Sequence, residues 1–114
     1  MLAGSLALAV TGCGGTVPPP NQQLTSSEAA FRAADEVGAR SDPQATLHLK
    51  LAREQIDQAK ALMQNEENEA AHRLLLRAQA DAELALAIAK QRATQAEAQE
   101  ALKQVEKLKQ AGAP

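Results

Sequence analysis

Between Pro43 and Gly112 the chain contains neither proline nor glycine. These two residues interrupt helices most strongly, proline by lacking an N–H and clashing with the preceding turn, glycine by its backbone entropy. Over this run, only local polar chemistry remains to end a helix. Ala, Leu, Glu, Lys and Arg supply 46 of the 68 residues from Gln44 to Ala111, a balance typical of long helices and coiled coils. The whole chain has 114 residues, which suits one small domain.

Periodicity divides the run. Ala45, Leu49, Ala52, Ile56, Ala59 and Met63 recur at alternating intervals of four and three, which draws one apolar seam along a helix. The seam stops at Gln64-Asn65-Glu66-Glu67-Asn68-Glu69. Asparagine suits a turn, and acids suit the positive N-terminal end of a following helix. Ala71, Leu75, Ala78, Ala82, Ala85 and Ala89 then repeat the spacing. Two seams joined by a short polar turn predict an antiparallel helical hairpin, and alanine in both predicts close axes. Because each buried methyl contributes only about 0.8 kcal/mol, the domain is expected to be modestly stable.

Upstream, Asp42-Pro43 is a helix start, with Asp as cap and Pro at the first helical position. Thr25-Ser26-Ser27-Glu28 matches a capping box, and Gly38 suits a helix C-terminus. The expected fold is all-α: helices at about 26–38, 43–64 and 67–110 in a domain spanning 25–110, coiled-coil-like, with the last helix overhanging. Phe31, Ala34 and Val37 are the expected contribution of the first helix. They should meet Leu84 to Ala89, a stretch apolar nearly all round, with Leu47 and Leu51 on the same level. On the overhang, Ala98, Ala101, Val105 and Leu108 form a sparse heptad seam preceded by Thr94. It reads either as a solvated extension or as a seam for self-association or partner docking.

Several functions are disfavoured. The net charge of −2 supplies no basic field for nucleic acid, and Phe31 is the single aromatic, so no stacking platform exists. His48 and His72, the two histidines, fall on distant levels of the hairpin, and each is expected as a partly exposed helical residue. No zinc-ligand spacing, phosphate loop or nucleophile beside a base appears. Charged residues are instead spaced for pairing along helices: Lys50 with Glu54, Arg53 with Asp57, Glu69 with Arg73, Arg77 with Asp81. A non-enzymatic protein with no cofactor, metal or small-molecule substrate is expected.

Cys13 is the lone cysteine and closes the stretch Leu6-Ala7-Leu8-Ala9-Val10-Thr11-Gly12-Cys13. The apolar run is too short to span a bilayer, which takes roughly 20 residues, and residues 1–12 read as a signal peptide; since no Lys or Arg precedes Arg32, either its basic portion lies upstream of Met1 or the export reading is wrong. The stretch resembles the lipobox of bacterial lipoproteins. That resemblance implies lipid attachment at Cys13, and Gly14 in the next position implies sorting to the outer membrane. Residues 13–24, with Pro18, Pro19 and Pro20, read as an extended tether with a reach of roughly 30 Å.

The helical part also resembles a family. Asp42-Pro43 followed by Leu49-Lys50-Leu51-Ala52-Arg53-Glu54, an acidic turn, Glu69-Ala70-Ala71-His72-Arg73-Leu74 and Gln79-Ala80-Asp81-Ala82-Glu83-Leu84-Ala85 looks like the domain of unknown function 4398 family, over roughly residues 27–90. Where that family usually has glycine and an aromatic in the turn, this chain has Asn65 to Asn68. The resemblance implies a helical envelope protein of Gram-negative bacteria and offers no catalytic residues. The expected function is a lipoprotein anchored through Cys13 and facing the periplasm, its hairpin serving as a structural or interaction module for an envelope protein or a second copy. The alternative is a soluble helical adaptor acting by coiled-coil self-association or partner docking.

Overall fold

The computed structural model describes residues 14 to 112; residues 1–13, with the expected signal-peptide segment and Cys13, and residues 113 and 114 lie outside it. Three helices follow one another: α1 (Asn21–Glu36), α2 (Pro43–Gln64) and α3 (Asn68–Gly112). A single 3-10 turn, Ala39–Ser41, joins α1 to α2. The chain runs up, down and up again, and α3 continues beyond the other two.

α2 begins where the sequence provides a cap. The Asp42 carboxylate accepts from the backbone N–H of Gln44 at 2.8 Å and of Ala45 at 2.9 Å, while Pro43 takes the first helical position. Its seam faces inward: Ala45, Leu49, Ala52, Ile56 and Ala59 are buried and Met63 is half-buried. On α3, Ala71, Leu75, Ala78, Ala82, Ala85 and Ala89 are likewise buried. The antiparallel hairpin predicted from these two seams is therefore the core of the molecule.

The turn closes differently from expectation. The Glu66 N–H donates to the Met63 carbonyl and the Glu67 N–H to that of Leu62, with Glu66 at φ 60°. This is a Schellman closure, and its left-handed position falls to glutamate instead of either asparagine. Glycine adopts that conformation without a Cβ penalty. Glu66→Gly is expected to stabilise the hairpin by about 0.5 to 1 kcal/mol, read as a raised melting temperature, whereas Glu66→Val is expected to lower it.

α1 starts earlier than its supposed capping box. Pro20 precedes the first turn, and the Thr25 hydroxyl donates to the Asn21 carbonyl one turn back, inside the helix. Ser27 is fully buried, its hydroxyl 2.8 Å from the Gln23 carbonyl and 2.9 Å from the Leu75 carbonyl of α3. A small polar residue thus lets α1 approach α3 closely while its own hydrogen bonding is met. The Gln23 amide reaches Gln79, Glu28 pairs with Lys60 of α2, and the Arg53 guanidinium lies 5.4 Å from the Phe31 ring centroid. α1 therefore runs parallel to α3 and joins the hairpin, as anticipated.

The proline segment is docked as well. The Asn68 side-chain amide at the start of α3 donates to the Val17 carbonyl at 2.8 Å. Residues 21–24, assigned to the tether, are helix. Three residues separate Cys13 from Val17, and the four steps between them span at most about 14 Å. The reach of roughly 30 Å inferred from composition is thus corrected: the free part of the tether is less than half as long.

Buried residues form two clusters. One joins Ala34, Ala39, Ala45, Leu49, Ala85 and Ala89 near the α1–α2 corner; the other joins Ile56, Ala59, Ala71, Leu75 and Ala78 near the hairpin turn; half-buried Phe31 packs against both. Ala52 and Ala82, both without exposed surface, lie between them in register. At the corner, Gly38 adopts φ 85°, a left-handed value that suits glycine, and Ala39 is fully buried beyond it.

Candidate interaction surface

α3 has 45 residues, about 67 Å at 1.5 Å each, against 22 residues and about 33 Å for α2. Its inward seam continues past Ala89 as Arg92, Ala96, Gln99, Lys103 and Glu106. The change to polar residues coincides with the end of the bundle. Arg92 marks the boundary, its Nε donating to the Asp42 carboxylate at 2.8 Å. The Ala45 N–H, with further help from Arg92 and the Gln44 N–H, holds the Asp42 carboxyl below its ordinary pKa. One aspartate thus caps α2 and fixes the level at which α3 leaves the bundle. The Arg92 contact had a signal in the heptad register, which places residue 92 directly after 85 and 89.

Every residue from Gln91 to Gly112 is exposed. The predicted seam residues Ala98, Ala101, Val105 and Leu108 accordingly share one solvent-facing side of the projecting helix, and the exposures of Val105 and Leu108 are 47% and 71%. Traced back with the same spacing, that side passes through Thr94, Gln91, Ala87, Leu84 and Ala80, all exposed. Contacts with α2 use residues such as Asp81 and Ala85, and contacts with α1 use Leu75 and Gln79. At 100° per residue these two faces and the stripe divide the circumference of α3 into three. Among the described residues none covers the third sector.

This arrangement corrects the reading of Leu84 to Ala89 as buried all round. Leu84 is 44% exposed and Ala87 is exposed, because the stretch combines an inward seam (Ala85, Ala89) with part of the outer stripe. Leu47 and Val37, expected to close the same level, are also exposed, whereas Leu51 is half-buried. Among the described residues there is no fourth helix to cover them.

Polar groups elsewhere link the helices or pair along their exposed faces. His48 Nδ1 lies 3.0 Å from one Asp81 oxygen, and the Gln55 amide donates to the other at 2.8 Å. Asp81 therefore ties α3 to two positions of α2, and the pairing proposed for it with Arg77 is replaced. The pairs Lys50–Glu54, Arg53–Asp57 and Glu69–Arg73 are present on exposed faces, where each contributes about 0.2–0.5 kcal/mol. His72 is exposed. Among the described residues no group of three His, Cys, Asp or Glu side chains is placed to hold a metal ion, and no helix is long and apolar enough to cross a membrane. Cys13, the expected lipid-attachment residue, lies outside the described residues.

No curated protein and no solved structure matches the chain. A family model does, that of a domain of unknown function (DUF4398), over residues 22–112. The matched region exceeds the 27–90 span of the motif resemblance and takes in both α1 and the projecting part of α3. The overhang is thus part of the family's domain, and the chain belongs to the DUF4398 family.

Proposed function

We propose that this protein is a non-enzymatic lipoprotein of the bacterial outer membrane, anchored through Cys13, whose helical hairpin serves in the periplasm as an interaction module. The observation that carries the reading is the exposed apolar stripe of α3, from Ala80 to Leu108, which the chain's own helices leave open. A stripe at heptad spacing on a rigid helix is the form in which helices present themselves to other helices. The lipobox resemblance around Cys13 supports the anchor, and the docking of Val17 on Asn68 would keep the lipid close to the hairpin turn. The projecting end of α3 then points away from the point of attachment.

Lipid chemistry supports firm anchoring. One acyl chain contributes about 0.8 kcal/mol per buried CH₂ and holds only marginally, while several chains hold stably. The anchor is tested by growing cells with a clickable palmitate analogue. Wild-type protein is expected to be labelled and to fractionate with the outer membrane, and Cys13→Ser is expected to lose both properties. Equal labelling of the two proteins, or an unlabelled cytosolic wild type, would remove the lipoprotein reading.

A further inference from the structure

We infer that the uncovered stripe of α3 binds a second copy of this chain, antiparallel, about a two-fold axis between residues 92 and 93. The inference rests on reading the stripe as an interaction surface and names its occupant.

Residues 93–112 project from the bundle, and residues 68–92 carry the outer side of α3 within it. Antiparallel pairing about this axis lays each overhang along residues 73–92 of the other copy's bundle. Opposed positions then sum to 185. Val105 meets Ala80 of the other copy, Leu84 meets Ala101, and Ala87 meets Ala98. Gln91 meets Thr94 at the axis. Leu84 and Val105 each face alanine, Leu108 faces the aliphatic stem of Arg77, and the two polar positions face each other. The hairpin packs by a like rule, since its register sets Leu49 against Ala85, Ile56 against Ala78 and Leu75 against Ala59 within the two clusters.

Charge selects the register. In antiparallel helix pairs the residues preceding the first seam position of each heptad face one another, and here they include Lys90 and Glu97. Neither enters an ion pair within the described residues. In the proposed register Lys90 of each copy faces Glu97 of the other, twice by symmetry. A slip of one heptad in one direction sets Glu97 against Glu97; in the other it sets Lys90 against Lys90. Both slips juxtapose like charges, a device that fixes register in coiled coils. A parallel pair in register sets Glu97 against Leu102 and Lys90 against Gln95, with no ion pair. On the opposite flank the one acid, Asp81, is already engaged by His48 and Gln55.

The pair has a defined shape. The two hairpin turns lie at opposite ends, about 73 Å apart along the axis at 1.5 Å per residue. Lipid-anchored copies would therefore lie along the membrane surface, held at both ends.

Sedimentation equilibrium of the full chain in detergent, with helicity monitored in parallel, tests the inference. Wild type is expected to be a dimer, Val105→Asp a monomer of unchanged helicity, and Lys90→Glu or Glu97→Lys about tenfold weaker in self-association. The double variant K90E/E97K restores opposite charges in the same register and is expected to return to within about threefold of wild type. Failure of the double variant to recover would overturn the register. A wild type that stays monomeric at high concentration would overturn the second copy as occupant, and a dimer indifferent to Val105→Asp would overturn the stripe itself.

Discussion

Leu75→Ala is expected to destabilise the domain by about 3 kcal/mol and to lower its melting temperature by roughly 15 °C. Leu75 has no exposed surface and is, with Ile56 and Ser27, among the largest side chains buried completely. The buried neighbours in its cluster are Ala59, Ala71, Ala78 and Ile56, with half-buried Leu24, Phe31, Leu62, Met63 and Leu74 at its margin, so alanines line most of the buried side of the vacated volume. Alanine has no rotamers with which to fill a gap, and the helices are held at their spacing by the rest of the seam, so the cavity term should be retained. Its backbone carbonyl still accepts from Ser27, which confines the change to packing. Thermal and urea unfolding monitored by circular dichroism measures the loss. A cost below about 1 kcal/mol would mean that helix propensity, and not side-chain packing, carries the domain.

The opposite alteration is expected to harm the fold nearly as much. Ala82→Leu adds three carbons where Ala52 and Ala82 separate the two clusters, both with no exposed surface. The close approach of α2 and α3 leaves no void to take them, so the axes must part and both clusters loosen. The expected cost is about 1 to 3 kcal/mol. Ala96→Leu makes the same chemical change two heptads further along the same side of α3, where the helix is exposed. It is expected to change stability by no more than about 0.5 kcal/mol. Similar losses from the two variants would show that the cost at position 82 comes from leucine in the helix and not from crowding between helices.

The comparison of these two sites explains what the sequence could reveal. The hairpin was legible because both seams keep a strict heptad spacing and because Asp42-Pro43 and Gly38 are residues with few other uses in such places. Ser27 was hidden, since a serine followed by glutamate resembles a helix start more than a core position. The spacing of Leu24, Ser27, Phe31 and Ala34 was the signal that could have found it. Pro18 to Pro20 suggested a free, extended segment, and composition alone does not show that an asparagine fifty residues later holds the Val17 carbonyl. On α3 the sequence pattern reveals the outer stripe only from Thr94 onwards, because between Leu84 and Ala89 its residues alternate with those of the inward seam. Which of two interleaved apolar faces is covered depends on where the neighbouring helices lie, and that is a tertiary property.

The order of the helices also decides how the molecule meets force. α1 enters at the hairpin-turn end and runs parallel to α3, which leaves at the other end. A pull between the N-terminal segment and the projecting end of α3 acts along the helix axes. It loads the Ser27 contact with Leu75, the Gln23 contact with Gln79 and the Glu28 pair with Lys60 together, in shear, after the Val17 contact with Asn68 gives way. Peeling would break such contacts one at a time. A bundle built largely from alanine, with modest energy in each contact, gains mechanical resistance from this direction of loading.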